Sequence, residues 1–345
     1  MKPIYSGQPE PVTIVPMKRI SRHRRFGAIL ALAASLLPAA DPATAQSYPS
    51  RPIKLIVPFA AGGPADTLAR LVAQRLSLGL GQAVVIDNRP GAGGTIGAKA
   101  AVAAEPDGYT LMYGNTATLA VGPAVYANIG YDPLKAFAPV ALVSVTSNLL
   151  VASPTLPANS VAELIAYAKA HPGKVNFASP GHGTPPHMVG EMFRLRAAID
   201  IVHVPYKGTA AALTDIMAGQ VEITFENPSV TVSLVQGKKL KGLAVTGEAR
   251  NPQVPDLPTM IESGLADFVS TSFTGLLAPA GTPPEIVGRL NAETNAALKS
   301  PELADALDKL GVGIRPGSAE DFAVFIAREN HKWATVARSA GVRVD

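Results

Sequence analysis

One pattern recurs along most of this chain: a short apolar run, a glycine loop, then an apolar stripe at helical spacing. Residues 52–60 (PIKLIVPFA) read as a short buried strand. Residues 61–64 (AGGP) form a turn, and 65–78 carry Leu68, Leu71, Val72 and Leu76 at the spacing of one helix face. A second strand follows at 83–86, a Gly/Pro turn at 88–94, a helix of small residues at 95–104 and a third strand at 109–113. The middle of the chain repeats this grammar. Helices are predicted at 161–170, 187–196 and 210–218, and strands at 175–178, 199–204, 221–225 and 240–246. The end is mostly helical, over 284–298, 301–310 and 319–339. In the last of these, Phe322, Phe325, Ile326, Trp333 and Val336 share one face, which assigns Trp333 to the core. Strands alternating with helices predict a parallel sheet in an α/β architecture.

Two apolar stretches break the rhythm. Residues 140–152 and 268–279 look like strands with no helix between their halves. Read as two crossover strands, they join two domains. The first is then discontinuous, 46–147 plus 270–345, and the second is 148–269. Both lengths are ordinary for a domain. Domains joined by two strands can hinge, and the cleft between them is the expected ligand site.

The charge distribution excludes one class of partner. The pI of about 9.2 suggests nucleic acid, but residues 1–45 hold six basic groups against two acids (Glu10 and Asp41). The remainder has 24 basic and 24 acidic residues, so it offers no net basic surface to a phosphate backbone. Those first 45 residues read as a leader. Met17 opens it, Lys18, Arg19, Arg22, Arg24 and Arg25 form a positive region, and 26–37 are uncharged and mostly apolar. Ala43-Thr44-Ala45 is a small-x-small cleavage site, which makes Gln46 the mature start. Twelve apolar residues fall short of the ~20 needed to span a bilayer. The expectation is an exported protein of the periplasm. The absence of cysteine fits that compartment, and excludes a disulfide framework, a thiolate metal site and a cysteine nucleophile.

Three loops join a strand to a helix and suit an anion. The first holds Phe59, Ala60, Ala61, Gly62, Gly63 and Asp66. Its glycines permit a tight turn at positive φ, and the helix behind offers unpaired amides and a positive dipole end. The plainer reading is a strand-to-helix turn with Asp66 stabilising the helix start. The second loop holds Ser179, Gly181, Gly183, Thr184 and His187, with two hydroxyls and two close backbone approaches. The third holds Tyr206, Lys207 and Gly208. Lys207 could meet a carboxylate, although a surface lysine is the default.

Catalytic readings are weak. His182 and His187 are five residues apart, which is not the spacing of one helix face, and no third histidine is near in sequence. His187 and Glu191 share a face but are explained by a helix start and a solvated carboxylate, so no metal is expected. His171, His203 and His331 show no partners. There is no G-x-S-x-G elbow and no Walker loop, and residues 91–97 (GAGGTIG) miss the dinucleotide fingerprint by one position. No enzyme activity and no cofactor are expected.

At this point the motifs identify a family resemblance. YPSRPIKLIVPFAAGGPADTLAR, NRPGAGGTIGAKA, PDGYTLMYGN, GHGTPPHMVGEMF, VPYKGTAAALTDIMAGQVEITFEN, LAVTGEARNPQVPDLPTMIESG and LLAPAGTPPEIVGRLN together resemble the Bug family. These are periplasmic solute receptors of tripartite tricarboxylate transporters, and the likeness covers nearly all of the mature chain. The resemblance implies a type II periplasmic binding fold, with two α/β lobes joined by two crossover strands around a ligand cleft. It implies capture of a small organic anion by backbone amides, hydroxyls and water, and delivery to membrane permease subunits by a monomer. By the same resemblance, residues 59–66 and 179–187 are the ligand loops, and 206–208 border the pocket. Two positions depart from the family: Ser272-Phe273-Thr274-Gly275 stands where members often carry tryptophan, and Glu226 where many carry aspartate. Both bear on pocket size and ligand, not on fold. A ligand sensor for a membrane signalling protein is the alternative; a secreted α/β enzyme ranks below it.

The leader yields a direct test. Protein recovered from the periplasm should begin at Gln46 by mass spectrometry, and an intact leader on cytosolic protein would exclude export.

Overall fold

β-Branched and apolar runs form the buried strands in the computed structural model, which describes residues 8–17 and 48–344. Residues 8–17 are exposed and without regular structure. The basic region, apolar run and cleavage site expected between 18 and 46 lie outside the described residues.

From residue 48 onward the chain forms one compact unit. It begins with β1 (Ile53–Val57), α1 (Pro64–Leu80), β2 (Val84–Asn88), α2 (Thr95–Val102) and β3 (Thr110–Asn115). One π turn at Ala117–Val121 leads to short helices α3 (Gly122–Val125) and α4 (Pro133–Ala136). Then come β4 (Phe137–Ser147), β5 (Leu149–Ala152), α5 (Val161–Ala170), β6 (Val175–Ser179) and α6 (Pro185–Ala197). They are followed by β7 (Ile201–Pro205), α7 (Thr209–Met217), β8 (Ile223–Glu226), α8 (Pro228–Gln236) and β9 (Lys241–Val245). The chain ends with β10 (Thr271–Pro279), α9 (Pro284–Leu298), α10 (Pro301–Lys309), β11 (Gly313–Ile314) and α11 (Ala319–Ala340). No helix among the described residues is long and apolar enough to cross a membrane.

The strands form two sheets, ordered β11-β4-β10-β3-β1-β2 and β7-β6-β8-β5-β9. The βαβ segments are parallel as their sequence predicts: β1 with β2 and β3, and β6 with β7 and β8. The expectation of wholly parallel sheets is corrected at β10, which pairs antiparallel with both β3 and β4. β5 likewise pairs antiparallel with β8 and β9. The physical reason is connectivity. A strand that returns from the other sheet enters from the opposite end and runs the other way.

The stretch read as one strand over 140–152 divides at Asn148. β4 belongs to the first sheet and β5 to the second. The Asn148 amide donates to Thr246 Oγ1 at 2.9 Å, and the Thr246 amide donates to the Asn148 carbonyl at 2.9 Å. Helix α8 (PSVTVSLVQ) was not expected, because its β-branched residues disfavour a helix. Asn227 caps it by accepting from the Ser229 amide at 3.0 Å, and Pro228 starts it.

The largest apolar cluster runs from one sheet to the other. It includes Met112, Phe273, Phe322 and Trp333 together with Phe177, Phe193, Phe225 and Phe268. Trp333 is fully buried, as its place on the α11 stripe predicts. The start of α11 is fixed by a reciprocal cap between Ser318 and Asp321.

This packing leaves no room at Gly275. A Cβ there would stand 2.3 Å from Phe322 Cζ and 2.7 Å from the Ala141 carbonyl oxygen. Overpacking of this kind costs about 1–3 kcal/mol. Gly275→Ala should therefore lower the unfolding free energy by about that amount, read by chemical denaturation, whereas an unchanged midpoint would mean that α11 shifts freely.

Candidate functional site

The β4–β10 ladder pairs Thr274 with Ser144 and Ser272 with Thr146. Residues two apart on a strand face the same side, so four hydroxyl side chains share one face as two cross-strand pairs. Thr274 Oγ1 lies 2.7 Å from Ser144 Oγ and 2.9 Å from the hydroxyl of buried Tyr113. This face floors a cavity of about 270 Å³. Gly62, Pro64, Thr67 and Leu68 line it from the first loop and α1, Asn227, Ser229 and Val230 from the start of α8, and Leu310 and Val312 from the segment after α10. None of the lining side chains is ionisable.

Two helices begin at this cavity. In α1 the amides of Ala65 and Asp66 have no acceptor among the described residues, so they are available donors. In α8 the first amides are already used: Ser229 donates to Asn227 Oδ1 and Val230 to the Asn227 carbonyl. The Thr146 and Ser229 hydroxyls lack partners among the described residues. The site therefore offers neutral donors and two positive helix ends.

The first loop is held from behind. Asp66 is only 2% exposed. Its Oδ2 accepts from the Gly62 amide at 2.8 Å and from Arg70 Nε at 2.9 Å, and its Oδ1 accepts from Asn88 Nδ2 at 2.9 Å. The Arg70 hydrogen bond is the main reason that the carboxyl is lowered to about 2; burial opposes it, and Gly62 and Asn88 assist. Gly62 takes φ +78°, and a side chain there would project into open space. Gly63 does not share this conformation: its φ is −79°. The expectation of positive φ is met at Gly62 alone. Of Phe59, Ala60, Ala61, Gly62, Gly63 and Asp66, only Gly62 lines the cavity. Phe59 lies beneath the loop, where its carbonyl accepts from Asn88 Nδ2 at 3.1 Å.

The expected second-lobe residues assemble beside one another, but none lines this cavity. The Tyr206 amide donates to the Ser179 carbonyl at 2.9 Å, which joins the second and third loops. Ser179 Oγ reaches the Gly181 carbonyl at 2.9 Å, and Thr184 Oγ1 donates to the same carbonyl at 2.7 Å. Gly183 donates its amide to His187 Nδ1 at 3.1 Å. Tyr206 OH donates to Asp215 at 2.8 Å, and Gly208 precedes α7 as its N-cap. Lys207, on the same loop, is exposed.

His203 corrects a sequence reading. Far from lacking partners, it stacks on His187 at 3.8 Å and meets the edge of His182 at 5.0 Å. Its Nε2 lies 2.6 Å from Ser179 Oγ. The partner was hidden because β7 pairs with β6, which brings residue 203 beside residue 177. Burial, then the neighbouring imidazoles, lowers His187 to about 4 and His203 to about 3.

Glu226 ends β8, next to cavity-lining Asn227, and is 5% exposed. Burial raises its carboxyl to about 7, against the opposing hydrogen bonds from Thr209 Oγ1 (3.2 Å) and the Asn227 amide. Ser272 and Thr274 lie in the segment that the family resemblance ties to pocket size, whereas their partners Ser144 and Thr146, the α8 residues Asn227, Ser229 and Val230, and Thr67, Leu68, Leu310 and Val312 are lining residues that the sequence reading missed. A usable signal was present: Ser/Thr at 144, 146, 272 and 274 alternates at period two inside two apolar strands.

Comparison with known proteins places this arrangement. Residues 68–342 match the family described as "Tripartite tricarboxylate transporter family receptor". The chain is 38% identical over 306 residues to Protein BugT of Bordetella pertussis, covering 88% of this chain and 94% of that one. The structure of periplasmic binding protein BugD matches with a TM-score of 0.73 at 35% identity, covering 86% of this chain and 99% of that one. R. palustris Rpa4515, solved with adipate, matches with a TM-score of 0.76 at 37% identity over the same shares. The mixed sheets, the cavity built from both lobes and these likenesses lead to one assignment: the chain belongs to the tripartite tricarboxylate transporter receptor family, the solute-binding proteins that include the Bug proteins.

Proposed function

We propose that this receptor captures a small dicarboxylate in the cavity over the β4–β10 ladder, in the periplasm, and presents it to membrane permease subunits. The observation that carries the reading is the lining itself. Hydroxyls, one carboxamide and two helix N-termini surround about 270 Å³ with no ionisable side chain. A helix N-terminus stabilises a nearby anion by roughly 0.3–1 kcal/mol, more when partly buried. Charge-assisted hydrogen bonds from amides and hydroxyls add about 1.5–3 kcal/mol each. Such a site binds an anion and releases it intact; it holds no nucleophile–base pair to break a bond. Leu68, Val230, Leu310 and Val312 suit the methylene chain of a ligand, and the adipate in the Rpa4515 structure has that form. The lobes are proposed to divide at the strand changes, 46–147 plus 270–345 and 148–269, and to close around the ligand. The residues 179–187 and 206–208 then form the rim of the second lobe.

Adipate and succinate should raise the melting temperature of the purified chain by mass action, and neutral sugars should not. Gly62→Val puts a branched side chain on the cavity wall and strains a positive φ. It should weaken the better carboxylate about tenfold or more by calorimetry, while Lys239→Gln leaves it unchanged. A folded Gly62→Val protein with parental affinity would place the ligand elsewhere.

Glu226 sets the pH dependence. Its folded pKa, about 7, lies above its ordinary value of 4.5. Its neutral form is therefore favoured by folding, and that stability is present below pH 4.5 and lost as pH rises through about 7. Ionisation also puts a negative charge beside Asn227. Carboxylate affinity should fall between pH 6 and pH 8, and Glu226→Gln should flatten the fall. A parental profile in the variant would assign the dependence to the ligand or to another group.

A further inference from the structure

The three histidines of the second lobe make a cluster outside the lining of the cavity over the β4–β10 ladder. His182, His187 and His203 each offer one ring nitrogen within 4.8 Å of the others. Two segments converge: the 179–187 loop running into the start of α6 supplies His182 and His187, and strand β7 supplies His203. Access is graded: His182 is exposed, His203 partly so and His187 buried. We propose that His182, His187 and His203 form a binding site for a borderline divalent transition ion of the zinc or nickel class.

Two features of the surroundings support this. A metal-bound histidine commonly gives its second nitrogen to a hydrogen-bond acceptor, which fixes the ring. The Gly183 amide can only donate, so His187 Nδ1 accepts and its proton sits on Nε2, facing Glu191 Oε1 at 3.8 Å. Glu191 is fixed in turn by Arg194 Nε at 2.8 Å. His203 Nε2 is anchored on Ser179 Oγ at 2.6 Å. His187 and His203 thus each have a polar partner of the kind that orients a ligand. The chemistry of the donors agrees as well. Imidazole suits zinc, nickel and copper, and coordinates through a ring nitrogen lone pair.

The stacked rings must reorient to hold an ion. Nitrogens bound to one tetrahedral zinc at about 2.0–2.1 Å lie roughly 3.4 Å apart, inside the 4.8 Å that bounds the cluster. His187 and His203 stack at 3.8 Å, and each ring presents its lone pair in its own plane. Coordination therefore turns at least one ring. That motion breaks either the Gly183–His187 or the Ser179–His203 hydrogen bond, and so reshapes the 179–187 loop. Metal binding and loop conformation are linked on this geometry.

The test is calorimetric titration of the purified full chain, freed of metal by chelation, with zinc chloride and separately with nickel chloride. One ion per chain is expected. His182→Ala, at an exposed position, should weaken it at least tenfold, and His203→Gln should do the same if it folds. His171→Ala and His331→Ala, outside the cluster, should not. Cobalt(II) should give the intense visible absorption of a site with fewer than six ligands, and lose it in His182→Ala. No heat with any of these ions at millimolar concentration, or equal affinity in His182→Ala, overturns the proposal. Stabilisation of the chelated protein by adipate reads the carboxylate proposal separately, so either can fail alone.

Discussion

The antiparallel pairing of β4 with β10 is the constraint on which the rest of the structure depends. It matches nine residues of β10, Thr271 to Pro279, to β4 from Ser147 back to Phe137. Because side chains alternate along a strand, the register decides which four hydroxyls meet. A slip of β10 by one residue would turn Ser272 and Thr274 away from the cavity and Phe273 toward it. The same ladder delivers the chain to Asn148, where it leaves the first sheet for the second. It also requires Gly275 to carry no side chain, because Phe322 of α11 packs directly on that point.

Above this floor, the cavity is lined without charged side chains. An arginine would attract a carboxylate more strongly, but pairing the two out of water would carry a large desolvation penalty. Amides and hydroxyls spread the interaction over several modest bonds, a form suited to a receptor that must release what it binds. The charges in the neighbourhood act one layer back. Asp66 ties Gly62, Arg70 and Asn88 into one unit that shapes the first loop. Glu226, behind Asn227, has its carboxyl pushed up to about 7 by burial. Asp66 therefore acts on the loop backbone, and Glu226 lies behind the start of α8.

The lobes are not independent bodies. One apolar cluster contains the aromatic residues of both sheets, and α11 packs against α6 as well as against its own sheet. Any closure has to pivot around this shared core.

The sequence by itself determined the elements that local physics controls. The helices at Val161–Ala170 and Pro284–Leu298 stand where their apolar spacing puts them. The parallel βαβ order follows from alternation, and the family follows from motifs spread along the chain. Each of these is written in neighbours a few residues apart. Tertiary structure decided whatever depends on pairing between distant segments. It made the sheets mixed, because β10 returns from the second sheet. It formed α8 against the propensity of its β-branched residues, through the cap at Asn227. It brought His203 to His187 through the β6–β7 register, and the ladder hydroxyls together across more than a hundred residues. Loop chemistry was therefore legible in the sequence, whereas the site was not: a binding surface made by two lobes exists only once strand register has set which side chains face one another.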